Sequence, residues 1–187
     1  MLGQGWTVRA EDVTGVALAA QAGDAAAAAR FVRATQADVW RLCAHLGHPT
    51  DADDLTQETY LRAFRALPRF AGRSSARSWL LAIARRVCAD HVRERRRRPR
   101  VDPTAGLGDV QPPVVPDVGE GIAMRALLAR LEPQRRDAFV LTQVVGLSYQ
   151  DAAEVCGCPV GTIRSRVARA RDDLVAELGL RRDAGSA

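Results

Sequence analysis

The feature that most constrains the fold of this chain is the stretch SYQDAAEVCGCPVGTIRSRVARAR, which runs from Ser148 to Arg171. Ser148, followed by Asp151 three residues on, has the pattern of a capping box at a helix start. Gly157 can adopt the left-handed conformation that ends a helix, and Pro159 suits the first turn of the next one. The stretch therefore predicts two helices joined by a tight turn.

The second helix of this pair has two different faces. Ile163, Val167 and Ala170 recur at helical spacing, which predicts a buried side. The rest of the helix carries arginines, namely Arg164, Arg166, Arg169 and Arg171. A short helix, a turn with glycine and an arginine-bearing helix form the helix-turn-helix arrangement that reads the major groove of DNA.

Composition favours a folded helical protein with an anionic partner. Hydrophobic residues make up 47% of the 187 positions and aromatic residues only 5%, so a core of helices with small residues between larger anchors is expected. The net charge of +5 favours a nucleic acid partner. Apart from the histidines, every basic residue is arginine, which suits phosphate and guanine, although a GC-rich genome would also produce this bias.

The cysteines and the lengths of the apolar runs indicate the cellular compartment of the protein. Cys43, Cys88, Cys156 and Cys158 do not form a disulfide framework, which indicates a reducing cytoplasm. The Cys156-x-Cys158 spacing fits no common zinc pattern, so small buried hydrophobes are expected there rather than metal ligands. The first ten residues lack the pattern of a secretory signal, and no run of about 18 apolar residues could span a membrane. We therefore expect a cytoplasmic protein with no metal, no cofactor and no membrane contact.

Proline and glycine divide the chain into two parts. Residues 99–117 are rich in proline, glycine and aspartate, and Arg100 is their only basic residue, which is typical of an extended acidic linker. Helical periodicity on either side predicts one domain at 10–98 and another at 118–181. The predicted fold class is all-α, with two small helical domains joined by a flexible acidic Pro/Gly-rich linker.

A predicted helix from Asp51 to Leu67, with Thr50 and Asp51 suited to cap it, has two faces. The residues predicted to pack inward are Tyr60, Leu61, Phe64 and Leu67. The residues on the polar side are Asp54, Gln57, Glu58, Arg62 and Arg65. By spacing alone, this polar side indicates an ordinary solvated surface with acids near a helix start.

A further predicted helix, from about Ala76 to Arg97, ends in a dense basic cluster. The cluster comprises Arg93, Arg95, Arg96, Arg97, Arg98 and Arg100, against Asp90 and Glu94. Because like charges on neighbouring turns repel one another, this density predicts contact with phosphates. Upstream, Phe70, Trp79 and a serine-rich loop would offer a pocket for an unstacked base, although Trp79 is equally suited to core packing.

Three motifs in this order resemble the extracytoplasmic-function (ECF) sigma factors of the bacterial sigma-70 family. The motifs are DDLTQETYLRAF at Asp53–Phe64, RSWLLAIARRVCADHVRERRR at Arg77–Arg97, and LSYQDAAEVCGCPVGTIRSRVARAR at Leu147–Arg171. The resemblance implies a specificity subunit of RNA polymerase without catalytic residues of its own. Such a subunit binds core polymerase and directs initiation by reading the −35 element as duplex and the −10 element as melted DNA.

The resemblance also assigns roles to matching residues. Core polymerase, through a coiled coil on its largest subunit, would contact Asp54, Leu55, Gln57, Glu58, Leu61 and Arg62. The −10 strand would contact Phe70, Arg73, Ser74, Ser75, Ala76, Trp79, Arg85, Arg86, His91 and Arg95. The −35 duplex would contact Thr162, Arg164, Ser165, Arg166, Arg169 and Arg171. Arg86 departs from the asparagine that many members carry at this position.

The partners implied by the resemblance are core polymerase, including its beta flap, promoter DNA in both forms and, as in many relatives, an anti-sigma factor. No homo-oligomer is expected. A stand-alone helix-turn-helix regulator is the main alternative, but it would pair its DNA-binding domain with a ligand or dimerisation domain, and no heptad seam is present. An enzyme is a third class. His45, His48 and His91 lie apart in the sequence, and no nucleophile–base pairing or phosphate-binding glycine loop supports it.

Overall fold

The computed structural model describes residues 12–97 and 118–184, and these form eight α-helices with no strand in either range. This confirms the all-α prediction. The predicted linker at 99–117 lies outside the described residues. Within the described ranges, none of the helices combines the length and the apolar character that crossing a membrane requires.

The N-terminal domain is a bundle of four helices. They are α1 (Val13–Gln21), α2 (Ala25–Leu46), α3 (Ala52–Ala66) and α4 (Ala76–Arg97). A 3₁₀ turn at Pro49–Asp51 leads into α3. The core of the bundle contains fully buried side chains from α2 and α4, among them Phe31, Leu42, Leu80 and Leu81, each at most 1% exposed. Leu80 and Leu81 lie in the first half of α4, and their burial fixes the position of this helix in the bundle.

Helix α3 buries only part of the predicted face: Leu67 is 4% exposed and Tyr60 packs against the core, as predicted. Leu55, Thr59 and Ala63 lie against the bundle, whereas Leu61 is 55% exposed and Phe64 is 38% exposed. The prediction that Leu61 and Phe64 pack inward is therefore wrong. The cause is the position of α3, which contacts both α2 and α4 along its Leu55–Ala63 side and leaves the opposite side open.

The C-terminal domain contains the remaining four helices. They are α5 (Val118–Arg130), α6 (Pro133–Phe139), α7 (Tyr149–Cys156) and α8 (Val160–Ala184), with a π-helical turn at Val140–Val144 after α6. Glu132 caps α6 by accepting hydrogen bonds from the backbone N–H groups of Gln134 and Arg135, both at 3.1 Å. Helices α6 and α7 both pack against α8.

The turn between α7 and α8 follows the sequence prediction closely. The Ser148 hydroxyl accepts a 3.0 Å hydrogen bond from the backbone N–H of Asp151 and so caps α7. Gly157 has φ +64°, the left-handed conformation that ends the helix. On α8, Ile163 and Val167 are at most 1% exposed and pack into the domain. The helix-turn-helix is thus present, with its predicted buried side inward.

The two domains are in direct contact through α4. Arg85 Nε donates to Asp137 Oδ2 at 2.7 Å, joining the middle of α4 to α6. Arg77 Nη2 donates to the backbone carbonyl of Val145 at 3.0 Å. Helix α7 packs along α4, so one side of α4 faces the C-terminal domain instead of solvent.

Candidate nucleic-acid and polymerase interfaces

Helix α8 presents an open polar face opposite its buried side. Arg164, Ser165 and Arg169 are exposed, and Thr162 is partly exposed near the start of the helix. Ser165 directs its hydroxyl to the backbone carbonyl of Thr162 at 3.0 Å, so it is held against the helix. This face combines two exposed arginines with the small side chains of Thr162 and Ser165, a combination suited to base edges and phosphates of a major groove.

Two other arginines of α8 are occupied within the domain. Arg166 donates to the side-chain oxygen of Gln134 and lies 3.5 Å from Cys158 Sγ, so it faces α6 and the turn. Arg171 Nη2 donates to Gln143 Oε1 at 3.0 Å. The structure therefore separates Arg166 from the open face that carries Arg164 and Arg169.

A small cavity of about 150 Å³ lies beside the predicted base-binding loop. Its lining includes Ser74, Trp79 and Arg86 from the N-terminal domain and Glu154 from α7. The Trp79 ring packs against Phe70 in a tilted arrangement, with ring centroids 4.9 Å apart and an interplanar angle of 41°, and also lines the cavity. The sequence allowed two roles for the Trp79 indole, core packing and the wall of a pocket, and the indole has both kinds of contact.

Several other residues of the predicted −10 set are buried or held by their neighbours. Phe70 is 6% exposed and Ala76 is fully buried, so neither side chain is open to a base in this conformation. The backbone N–H of Ala76 donates to Thr14 Oγ1 at 3.1 Å. Ser75 Oγ donates to Ser78 Oγ at 2.8 Å and also accepts from the Ser78 backbone N–H. Arg73 extends into solvent at the tip of the loop.

Arg85 is drawn into the contact between the domains. Its side chain is 29% exposed, and that of its partner Asp137 is 16% exposed. Although burial alone would lower the pKa of Arg85, the hydrogen bond and charge of Asp137 raise this pKa above its ordinary value. Arg85 therefore stays charged, with its Nε committed to Asp137.

His91 and Arg95 share a single carboxylate at the start of α3. Asp51 Oδ2 accepts from Arg95 Nη1 at 2.7 Å and lies 2.8 Å from His91 Nε2. Burial opposes ionisation of Asp51, but hydrogen bonds from His91, Thr50 and Arg95 hold its pKa below the usual value. Asp51 stands at the N-cap of α3 without making a capping hydrogen bond, so the predicted caps of Thr50 and Asp51 are wrong.

The predicted polymerase-binding residues are mostly accessible on α3. Asp54, Gln57 and Leu61 are exposed, next to the exposed ring of Phe64. Glu58 Oε1 accepts a 2.7 Å hydrogen bond from Arg62 Nε, and both side chains are 42% exposed. The remaining predicted contact, Leu55, is 5% exposed and belongs to the core. An apolar pair framed by charges is typical of a protein-binding surface.

The cysteines are packed, with two of them deep in the N-terminal bundle. Cys43 and Cys88 are buried, while Cys156 and Cys158 are partly exposed near the contact between the domains. Burial raises the pKa of Cys156 to about 11, which keeps it a thiol at neutral pH. Among the described residues, no group of three or more histidines, cysteines or carboxylates could hold a metal ion.

Carboxylates are the residues that sequence reasoning missed. Asp137 and Glu154 come from the C-terminal domain to the face of α4, and Asp90 bridges two arginines on α3 and α4. Asp137 and Glu154 carry no local signal, because they act on residues far away in the sequence, and for Asp90 only the contact with Arg62, 28 residues away, could not be read locally. The composition does not reveal them either, because basic residues outnumber acidic residues in the chain.

Comparison with family models identifies both domains. The model described as Sigma-70 region 2 matches residues 31–98, and the one described as Sigma-70, region 4 matches residues 122–174. The chain is 54% identical over 174 residues to an ECF RNA polymerase sigma factor, SigC, of Mycobacterium tuberculosis, covering 89% of this chain and 91% of that protein. It is 40% identical to the ECF sigma factor EcfG of Rhodopseudomonas palustris, over 71% of this chain and 74% of that protein.

Solved structures with a similar fold include two proteins in complexes. CnrH in complex with the cytosolic domain of CnrY matches 91% of this chain and 99% of its own, with TM-score 0.73 and 26% identity. RpoE of Bartonella quintana in complex with the anti-sigma factor NepR matches 75% of this chain and 89% of its own, with TM-score 0.60 and 30% identity.

Proposed function

Because the chain belongs to the ECF group of the sigma-70 family of RNA polymerase sigma factors, we propose how its residues divide the work of that family. It is a specificity subunit, which binds core RNA polymerase and directs initiation at particular promoters. It reads the −35 element as duplex and the −10 element as melted DNA. The N-terminal domain is hereafter region 2 and the C-terminal domain region 4. Their predicted bounds, 10–98 and 118–181, stay predictions.

The −35 element is read by α8. The observation that carries this assignment is the contrast between its two sides, with Ile163 and Val167 buried while Arg164 and Arg169 extend into solvent. An arginine that binds a guanine bidentately contributes about 1–3 kcal/mol of discrimination. Arg164 and Arg169 are the principal base or phosphate contacts, and Arg166 supports the helix from behind through Gln134.

The −10 element is held by the cavity beside Trp79 and by α4. Extruding a base costs a few kcal/mol of stacking, which a pocket with an aromatic wall and polar groups offsets. Ser74, Trp79 and Arg86 supply these groups, and Arg73 extends from the adjoining loop. His91 and Arg95 serve the neighbouring backbone once they leave Asp51.

Core polymerase docks on the open side of α3. Leu61 and Phe64 supply apolar contact area, and Asp54 and Gln57 supply polar contacts around it. Leu55 contributes to this docking surface indirectly, because its buried side chain fixes α3 against α2 and α4. An anti-sigma factor is a further candidate partner, since RpoE of Bartonella quintana, which has a similar fold, was solved in complex with the anti-sigma factor NepR.

Two finer statements belong to the same proposal. The chain contributes no catalytic residue of its own, and phosphodiester formation is left to the polymerase. The cytoplasm is the compartment in which core polymerase and promoter DNA meet, and this is where the protein would act.

Run-off transcription with purified core polymerase tests the proposed function. The protein and core together, on fragments of genomic DNA, should give transcripts with a defined 5′ end, and neither alone should do so. Replacing Leu61 by Asp should abolish the product by preventing core binding, while a −35 duplex is still bound. Strong operator binding without any effect on core-dependent initiation would instead identify a stand-alone regulator.

A further inference from the structure

Two carboxylates hold cations at the junction of α3 and α4, and Asp51 is the first of them. Residues at an N-cap normally turn their side chain towards the helix N–H groups. Asp51 instead reaches across to α4, where Oδ2 meets both His91 and Arg95, and Oδ1 accepts from the Thr50 hydroxyl at 3.0 Å. Its acceptor capacity is thus directed at basic groups of the nucleic-acid-binding helix.

Asp90, which lies on α4 itself, makes the corresponding contacts with two arginines. Its Oδ1 accepts from Arg93 Nη2 at 2.6 Å, and its Oδ2 accepts from Arg62 Nη1 at 2.9 Å. These hydrogen bonds, from Arg93 first and then from Arg62, hold the pKa of Asp90 below its ordinary value. Asp90 also follows Arg86 by four residues, so this carboxylate lies on the same stripe of α4 as a predicted −10 contact.

A carboxylate that accepts hydrogen bonds from two basic side chains offers them the same kind of acceptor as a DNA phosphate does. Both carboxylates remain partly accessible, with Asp51 25% exposed and Asp90 48% exposed, so a phosphate can approach the same cations from solvent. Ion pairs at such exposure are weak and easily exchanged. We propose that Asp51 and Asp90 act as internal phosphate substitutes, which restrain region 2 from binding single strands of any sequence.

The consequence is a gain in specificity, and it rests on the proposed role of region 2 in holding the −10 strand. A strand without the recognised bases must displace both carboxylates using backbone contacts alone. A promoter strand also places a base in the cavity beside Trp79, and this added contact offsets the displacement. Asp51 and Asp90 therefore penalise every strand equally and leave the base contacts to decide which strand stays bound.

The test uses the full chain and fluorescein-labelled oligo(dT), a strand that offers phosphates but no promoter sequence. Asp51→Asn and Asp90→Asn should each bind it about threefold more tightly than the wild type, because the first releases Arg95 and the second releases Arg93, each at the cost of a weak pair. The salt dependence should steepen as well, by about 0.7 in the slope of log K against log salt for each additional phosphate contact. Asp173→Asn is the matched control. It makes the same change in net charge and breaks a 2.7 Å pair with Arg135 on the inner side of α8.

Either of two results would overturn the proposal. Weaker binding of oligo(dT) by both variants, with unchanged thermal unfolding, would mean that the carboxylates position the cations for DNA. An equal gain in affinity for Asp173→Asn would mean that only net charge matters. Run-off transcription is recorded in parallel. A chain that fails to initiate at any promoter refutes the proposed function, whereas the oligo(dT) result depends only on the surface charges.

Discussion

Helices α4 and α8, which are proposed to contact DNA, differ in how much of their surface is open. On α8, Arg164 and Arg169 extend into solvent from a helix whose other side is fully packed. On α4, Arg85 is paired with Asp137, and the cavity beside Trp79 is closed on one side by Glu154. Region 4 therefore leaves its proposed −35 surface open and covers part of the surface of region 2.

This difference follows from how each helix is anchored. Helix α8 needs only one apolar side, because α6 and α7 fill it within the same domain. Helix α4 has one side against α2 and α3 and another against α7, so little of its middle remains free. Asp137 accepts from Arg85 Nε at 2.7 Å, so this pair competes with any phosphate that approaches Arg85. Under the proposed assignments, this conformation leaves the −35 contacts of α8 open and part of the −10 surface of α4 covered.

The largest expected effect separates the stability of the two regions. Ile163→Ala removes a fully buried side chain from beneath α8 and should lower the unfolding free energy of region 4 by about 2–5 kcal/mol. Duplex −35 binding should be lost, while region 2 keeps its own helical bundle. Chemical denaturation followed by circular dichroism would show two transitions, of which only one is shifted. Loss of both together would mean that the regions fold as one unit.

The next effect opens the covered side of α4. Asp137→Ala leaves Arg85 largely buried without a partner, which should cost the closed arrangement about 2 kcal/mol. The molecule should then spend more time with its regions apart, which small-angle X-ray scattering would detect as a larger radius of gyration. Asp173→Ala, which breaks a pair inside region 4, serves as the control and should leave the radius unchanged.

A smaller effect concerns the open face of α8. Arg169→Ala should weaken binding to a −35 duplex about tenfold without reducing affinity for core polymerase. Arg166→Ala should cost less in DNA affinity and more in thermal stability, because Arg166 contacts Gln134 and Cys158 inside the domain. Fluorescence anisotropy with duplex DNA and a melting curve for each variant would check both statements. Equal loss of DNA affinity in both variants would mean that Arg166 leaves Gln134 when DNA binds.

The smallest effects come from two glycines of the helix-turn-helix, which should respond with opposite sign to the same substitution. Gly157→Ala should destabilise region 4 by about 1 kcal/mol, since φ is +64° there. Gly161→Ala should stabilise it by up to about 1 kcal/mol, since that residue is helical and a Cβ would meet open space. Thermal unfolding of the two variants would give the signs. The same sign for both would contradict the described backbone of the turn.

The sequence was sufficient for features that depend on nearby residues. The bounds of α4, the cap at Ser148 and the left-handed Gly157 were all predictable, because spacing and backbone preference determine them locally. The buried side of α8 was predictable for the same reason. The family followed from three motifs in a fixed order, and the comparisons confirm it.

Features that depend on distant residues were not predictable from the sequence. The helical periodicity of the sequence predicts that Leu61 and Phe64 are core residues. They are exposed because α2 and α4 pack against the other side of α3. Asp51 looks like a cap, yet His91 and Arg95 lie close enough to take its carboxylate. Such outcomes are decided by packing between elements, for which a single sequence carries no local signal.

The most direct test of this account follows the distance between the two regions during initiation. Fluorescent dyes attached through non-canonical amino acids at the exposed residues Ala29 of α2 and Ala176 of α8 would report it by energy transfer. Transfer should be efficient in the free factor and should fall when core polymerase and promoter DNA are added and run-off transcript forms. Unchanged transfer in complexes that make transcript would contradict the claim that region 4 must leave α4 before the −10 strand is held.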